Sequence, residues 1–299
     1  MSPKVFIIIL NWNGWRDTFE CLKSLSDLAY GNFEIILIDN ASKEKTRFSR
    51  ETFPKLKTTQ VFNEYNLGFA GGNNQGIKMA LEGDADYVLL LNNDTTVEPD
   101  FLSVLVAEAE KNNEAGILGP KILFYDEKRL IWSAGGKITG NFTRGELIGY
   151  RQNDSGQYNQ TKEVDYISGT CLLVKKEVIK KIGLISEDYF LYYEDNDWCQ
   201  RVRQAGYKCL LVPEAKIYHK ASKSTQEFSY PYIYYHSRNG LILASRFGSK
   251  TLTYLISFWI FAKQVIKLLV GYKRNWARPV MRGVVDFWRG KRGKLTGYY

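Results

Sequence analysis

Val88-Leu89-Leu90-Leu91-Asn92-Asn93-Asp94-Thr95 is the stretch that decides the fold. An apolar run ends abruptly in amides and one carboxylate. In an open α/β sheet, ligands bind outside the carboxyl ends of the strands. A lone Asp at such an end can hold a divalent cation, and the cation can hold a diphosphate. Two other runs share the pattern: Phe6 to Leu10 before Asn11-Trp12-Asn13, and Ile35 to Ile38 before Asp39-Asn40. Three strands aiming polar side chains at one rim point to a nucleotide site.

Working outward, the first half alternates strand-like and helix-like segments, the signature of an α/β domain. Strands are predicted at Lys4 to Leu10, Phe33 to Ile38, Thr59 to Phe62 and Tyr87 to Leu91. Helices are predicted at Trp15 to Leu28, with Phe19, Leu22 and Leu25 on one face, and at Gly71 to Leu81. Another opens at Glu98-Pro99-Asp100, where Pro99 suits the first turn, and runs to about Lys111. Gly116 to Tyr166 reads as short strands and polar turns, with Tyr150 to Lys162 as an exposed loop. Further on come helices at Lys175 to Ile182 and Glu194 to Ala205, then strands at Tyr207 to Val212 and Lys216 to Tyr218. Beyond Phe228 the chain reads as helical. No linker is evident, so residues 1–225 are expected to form one domain and 226–299 a helical extension.

The 299 residues are 44% hydrophobic and 24% charged, ordinary for a protein with a real core. Cys21, Cys171, Cys199 and Cys209 form no CxxC and no Cys/His cluster. We read them as reduced core thiols of a cytosolic protein rather than zinc ligands. Val5 to Leu10 is too short to be a signal peptide. The formal charge is +9, and it is unevenly placed. From Lys250 to Tyr299 there are eleven Lys and Arg against the single acid Asp286, a net of +10, which leaves the other 249 residues near neutral.

Four motifs carry chemistry. Asn66-Leu67-Gly68-Phe69-Ala70-Gly71-Gly72-Asn73-Asn74-Gln75-Gly76 holds four glycines before a helix. That suits close backbone approach to a phosphate, and equally a turn capping a helix. Asp39 can accept from the imide N–H of a uracil or thymine, with Asn11-Trp12-Asn13 supplying amides and an aromatic wall; an Asx turn is the alternative. Asp94 needs few helpers to bind a metal diphosphate, and His219, after the last strand, is a candidate partner whose imidazole suits Mn2+. In Tyr192-Tyr193-Glu194-Asp195-Asn196-Asp197-Trp198, three carboxylates open a helix. Residues 194, 197, 198 and 201 share a face, which points Asp195 elsewhere, toward a substrate.

Together, Asn11-Trp12-Asn13, Asp39-Asn40, the Asn66 to Gly76 stretch, Asn92-Asn93-Asp94, Ser168-Gly169 and Glu194-Asp195 resemble family 2 inverting glycosyltransferases of the GT-A fold. The nearer likeness is to the rhamnosyltransferase-like, cell-surface polysaccharide branch, over residues 4 to 240. The usual Asp-x-Asp appears here as Asn92-Asn93-Asp94. The resemblance implies that Asp39 reads the base, Asp94 binds the metal, Asp195 is the catalytic base, Ser168 and Gly169 lie near the acceptor, and His219 ligates the metal. The expected donor site is Asn11, Asn13, Asp39, Asn66, Gly68, Gly71, Asn73 and Asn93. The expected acceptor site is Ser168, Gly169, Glu194, Asp197, Trp198 and Arg238. The donor is a dTDP- or UDP-sugar, rhamnose favoured, the cofactor Mn2+ or Mg2+, and the acceptor a glycan, expected to be lipid-linked. Two alternatives stand beside this reading. A nucleotidyltransferase usually carries a basic, glycine-rich loop after its first strand, where this chain has Asn11-Trp12-Asn13-Gly14. A non-catalytic sugar-nucleotide binder has no use for both Asp94 and Asp195.

Leu252 to Val270 is apolar but interrupted by Lys263, Gln264 and Lys267, which argues against a spanning helix. It suits a helix lying in the membrane interface, anchored by Trp259, Trp276 and Trp288 with cations toward anionic lipid. The location expected is therefore cytoplasmic and membrane-peripheral. Packing on the catalytic domain, or a homodimer contact, is the other use of such helices. No nucleic-acid-binding motif accompanies the charge.

Overall fold

The computed structural model describes residues 2–48, 51–220 and 229–297. In chain order its elements are β1 (Val5–Asn11), α1 (Trp15–Leu25), β2 (Phe33–Asp39), β3 (Thr58–Phe62), α2 (Gly68–Glu82), β4 (Tyr87–Asn92) and β5 (Thr95–Val97). Then come α3 (Phe101–Lys111), β6 (Ala115–Phe124), β7 (Ile131–Ser133), β8 (Gly136–Thr139), β9 (Arg144–Leu147), β10 (Lys162–Val164) and β11 (Cys171–Lys175). The chain continues through α4 (Lys176–Ile182), α5 (Glu194–Gln204), β12 (Lys208–His219), α6 (Tyr230–Phe247), α7 (Lys250–Leu269) and α8 (Arg274–Trp288).

The main sheet runs in the order β10-β12-β6-β11-β4-β1-β2-β3, with β5 added to β12 and β7 to β6. Strands β1 to β4 are mutually parallel neighbours. β11 lies antiparallel to both β4 and β6, so β6 runs with β4, and β12 runs parallel to β6. The carboxyl ends of β1, β2, β4, β6 and β12 therefore share one edge, and the loop entering β11 meets them there. Alternation sorts the core into two layers. Val5, Ile7 and Ile9 face Cys21 and Leu22 of α1 and Phe101 and Leu105 of α3. Phe6 and Ile8 face Ala70 and Ile77 of α2, in one layer with Val178 of α4 and Trp198 of α5. Each fully buried isoleucine contributes about 1.5–3 kcal/mol relative to exposure.

Several expectations need correcting. Phe19 is 42% exposed; it lies off the core face of α1, against Phe48 and Phe53. Residues 115–124 form one ten-residue strand, not a run of short ones. The two strands expected between 207 and 218 are one strand, β12, with a register shift between Val212 and Lys216. The 150–162 loop is exposed, as expected, and it is also tied to the sheet, because the fully buried Lys121 donates to Asp154 and Asn159. All four cysteines are buried and unpaired. The boundary expected at 225/226 lies outside the described residues. Helices α6 and α8 pack on the segment before α5: Tyr189, Leu241, Ile242, Leu243, Val284 and Phe287 form a third cluster.

Candidate active site

Register places the polar strand ends side by side. Asn11 pairs with Asp39, and Leu10 with Asn92. Asn11 is fully buried and acts as a hub. It donates to Asp39 Oδ2 (2.8 Å) and Ser42 Oγ (3.1 Å) and accepts from Gly14 N, Thr18 Oγ1 and Asn93 Nδ2. Asn93 also donates to Gly14 O and Thr18 Oγ1, tying the β4–β5 turn to the start of α1. Asn11 and Asn93 thus brace the rim rather than face a ligand, a correction to their expected role. Asp39 is 1% exposed and also accepts from Ser42 N (3.0 Å). The turn reading is therefore realised, and carboxylate lone pairs remain for one more N–H. Asn13 is exposed, with positive φ, its Oδ1 accepting from Lys43 N.

The glycine stretch does different work from that expected. The amide of Gly68 donates to Asn66 Oδ1 (2.8 Å), and that of Phe69 donates to Phe190 O (2.8 Å). A Cβ on Gly71 would stand 3.8 Å from Glu187 Oε2, so a carboxylate already lies against the positive end of α2. Gly72 and Gly76 let α2 approach the sheet: an added Cβ would lie 2.4 Å from Leu10 Cδ1 and 2.6 Å from Ile8 Cγ2. Asn73 is buried and donates to Phe69 O within the helix. Gly68, Gly71 and Asn73, expected to cradle a phosphate, are thus seen in packing and intramolecular hydrogen bonds. Asn66 is half-buried, and the organiser missed by the sequence reading is Asn40. Its side chain donates to Asn66 Oδ1 and Gly68 O and accepts from Leu67 N and Asn63 Nδ2.

The two side chains expected to hold a metal lie side by side. β5 pairs antiparallel with β12, Thr95 opposite His219. His219 Nε2 lies 3.2 Å from Asp94 Oδ1, with only 8% and 11% of the two side chains exposed. The ring of Trp132 meets the imidazole edge-on at 4.5 Å. The buried His219 Nδ1 has no hydrogen-bond partner. One carboxylate and one imidazole whose Nε2 faces it are donors that fit a borderline divalent ion. Among the described residues no cluster of three or more His, Cys, Asp or Glu side chains forms a fuller cage, which leaves coordination positions to phosphate oxygens and water.

Asp195 reaches the same rim through two hydrogen bonds. Its Oδ2 accepts from Gly169 N (2.9 Å). Thr170 O, one residue on, accepts from Asn92 N (2.9 Å). Its Oδ1 accepts from Asn196 N and Nδ2. The carboxylate is half-buried and turned from the packed side of α5, as the helical spacing predicts. Ser168 is buried, accepting from Thr170 N; Gly169 is buried beside Phe69 and Asp195.

The remaining residues expected at the acceptor are buried. Asp197 has no exposed surface and accepts from Tyr189, Arg201 and Arg246. Trp198 is fully buried and donates to Gly183 O. Glu194 is 5% exposed, one of its oxygens unpartnered, and burial pushes its carboxyl well above the usual range. Arg238, also fully buried, donates to Tyr189 O (3.1 Å) and Tyr234 Oη. Side chains with no open surface and occupied donors hold scaffold. Sequence reasoning also missed Asn239, whose Nδ2 donates to the carbonyls of Tyr189, Leu191 and Tyr192. Those bonds clamp a loop in which Phe190, Tyr192 and Tyr193 all have positive φ, 63°, 67° and 74°. Such conformations cost about 1–3 kcal/mol each and persist only when surroundings impose them. Tyr192, Tyr193 and Tyr232 gather around His236, whose burial brings its pKa down to about 4.

Residues 6–183 match Glycosyl transferase family 2. The chain belongs to that family. It is 26% identical to the low-salt glycan biosynthesis hexosyltransferase Agl10 of Haloferax volcanii, over 98% of this chain and 94% of the other. It is 29% identical to the N-acetylglucosaminyl-diphospho-decaprenol L-rhamnosyltransferase of Mycobacterium tuberculosis, over 68% and 72%. Among solved structures it is similar to the mannosyltransferase PcManGT of Pyrobaculum calidifontis, determined with GDP-mannose and Mn2+. That match has a TM-score of 0.60 at 15% identity and covers 98% of this chain and 89% of that one. The GT-A architecture with C-terminal helices expected from the sequence is the one observed.

Proposed function

We propose that this protein moves a sugar, L-rhamnose favoured, from a dTDP- or UDP-sugar to a hydroxyl of a growing lipid-linked glycan, with inversion at the anomeric carbon. The observation that carries the reading is the pair of hydrogen bonds joining Asp195, through Gly169 and Thr170, to the strand end beside Asp94. A carboxylate and a metal-type pair on one rim are what a single displacement needs. Asp94 and His219 would hold a divalent ion, which supplies positive charge for the departing diphosphate. Asp195 accepts the proton of the acceptor hydroxyl as its oxygen bonds to C1 and the C1–O bond to phosphate breaks. Because an aspartate is a weak base toward an alcohol, the proton moves late. Asp39 and the exposed Trp12 and Asn13 face the base. The Haloferax relative is named for glycan biosynthesis and the mycobacterial one for rhamnosyl transfer to a diphospho-decaprenol-linked sugar, which supports the same substrate class here. Residues 1–225 are the catalytic part and 226–299 a helical extension working at the cytoplasmic membrane surface.

The test uses purified protein, dTDP-rhamnose and UDP-sugars, Mn2+ and a glycan acceptor. Asp195→Asn is expected to lose transfer while keeping nucleotide affinity. Turnover near that of the unaltered protein would overturn the assignment of the base, and an unaltered protein that binds donor but transfers nothing would favour the non-catalytic binder.

A further inference from the structure

Helix α7 is amphipathic in the opposite sense to its neighbours. Its buried residues are polar: Thr253, Ser257 and Gln264, spaced four and seven apart along one face. The first half of that face is hydrogen-bonded to the rest of the protein. Asn141 donates to Thr253 Oγ1 (3.1 Å), and Trp288 Nε1 donates to Ser257 Oγ (2.8 Å). The opposite face carries Leu252, Leu255, Phe258, Trp259, Ile266 and Leu269, between 44% and 79% exposed. A surface helix normally turns its apolar stripe inward. A contiguous exposed stripe of this kind marks an interaction surface.

We propose that this face of α7 lies in the plane of an anionic bilayer surface, immersed to the depth of its aromatic and aliphatic side chains. The inference deepens the membrane part of the function proposed above. Charge selects the occupant. Lys263 and Lys267 lie a turn apart on one flank of the stripe, with stems long enough to lift their ammonium groups to the headgroups. Lys273, Arg274 and Arg278 are exposed beyond the end of the helix. The only acid after Lys250 is Asp286, which is 1% exposed and paired with Arg282 and Lys291. Two copies meeting on this face would bring like charges together with no exposed acid from the extension between them. Anionic lipid supplies the missing charge. The helix is long and apolar enough to cross a membrane, yet its polar face is fastened to the protein from Thr253 to Trp288's partner Ser257 and packs Phe261 on Trp288. Spanning would strip those contacts; lying flat keeps them. The placement also suits a lipid-linked acceptor. Asn141 bonds the start of α7, and two residues on, Thr143 O accepts from Tyr193 Oη, beside the helix that carries Asp195.

The experiment is flotation of the full chain with phosphatidylglycerol/phosphatidylcholine vesicles and with pure phosphatidylcholine vesicles. It compares the unaltered protein with Phe258→Glu/Trp259→Glu, each checked by thermal melting and light scattering. The unaltered protein is expected to float with anionic vesicles and to be released by alkaline carbonate. The double variant should melt as before, stay monodisperse, and lose vesicle affinity by about tenfold or more. Absence of flotation, equal flotation of both proteins, or resistance to carbonate overturns the proposal. So does a dimer that the double variant abolishes without any vesicle binding. Transfer to a soluble acceptor, measured without vesicles, separates the two readings. An unaltered protein that transfers but does not float sinks only this inference, and one that floats but does not transfer sinks only the enzymatic one.

Discussion

At the residue scale, two buried carboxylates live in opposite circumstances. Asp94 has the imidazole of His219 at 3.2 Å, and the pair makes sense as a cation site closed by phosphate. Asp94→Ala should therefore lose the part of nucleotide affinity that Mn2+ adds. Calorimetry of UDP or dTDP binding, with and without Mn2+, is expected to show a metal-dependent gain for the unaltered protein and none for the variant; a gain of equal size in both would refute the assignment. Glu194 is the contrasting case. Its position at the start of α5 favours the anion by about 0.3–1 kcal/mol. Burying an unpartnered carboxylate costs several kcal/mol, so burial wins and the folded pKa stands well above the ordinary 4.5. Between those two values the folded state holds a proton that the unfolded state has lost, so stability declines as pH rises through that window. Glu194→Gln removes the titration. Urea midpoints at about pH 5 and about pH 8 should show the variant gaining on the unaltered protein as pH rises. Parallel behaviour would mean that Glu194 ionises freely in the fold.

At the element scale, α2 and its glycines separate packing from function. A Cβ at Gly76 would meet Ile8 Cγ2 at 2.6 Å and Ile38 Cδ1 at 3.1 Å, both side chains fully buried. A Cβ at Gly68, where φ is +76°, would lie 2.4 Å from the carbonyl oxygen of Phe190, just ahead of α5. Gly76→Val should cost about 1–3 kcal/mol by overpacking, seen in a lower urea midpoint at unchanged slope, with specific activity of the folded fraction retained. Gly68→Ala should lower kcat as well, because a backbone carbonyl cannot step aside as a side-chain end can. Equal activity losses in the two variants would show that the α2–Phe190 junction has no special tie to catalysis. The same scale shows what the sequence disclosed. Strands β1, β2 and β4 are buried on both faces, so they read as unbroken apolar runs, and their polar ends Asn11, Asp39 and Asn92 were found. β6 was not, because Gly116, Gly119, Pro120 and Lys121 interrupt it with residues typical of turns. Its partner β12 begins more than eighty residues later, and its buried Lys121 is neutralised by Asp154, a contact with no local signature. The clamp of Asn239 on the Tyr189–Tyr192 carbonyls was hidden for the same reason. Glu194, Asp197 and Trp198 were placed on one helix face correctly, and that face proved to be the packed one.

At the scale of the whole molecule, charge and apolar surface are segregated together. The last fifty residues carry +10 of a total of +9, leaving −1 on the other 249. Composition disclosed that asymmetry; it did not disclose which face of α7 points outward, because Thr253, Ser257 and Gln264 look like solvent-facing residues until Asn141 and Trp288 are seen bonded to two of them. The two contributions to membrane binding respond differently to salt. The screening length falls from about 10 Å at 0.1 M to about 3 Å at 1 M, which weakens attraction between the cations and the headgroups. Burial of Leu255, Phe258 and Trp259 in acyl chains is untouched by screening. Flotation with anionic vesicles should therefore fall steeply over that range and level off above zero, the residual lost in Phe258→Glu/Trp259→Glu. A salt-independent signal would mean that the basic flank does not contribute. Complete release of the unaltered protein at high salt would mean that the apolar stripe never enters the bilayer, leaving charge alone to hold the protein at the surface.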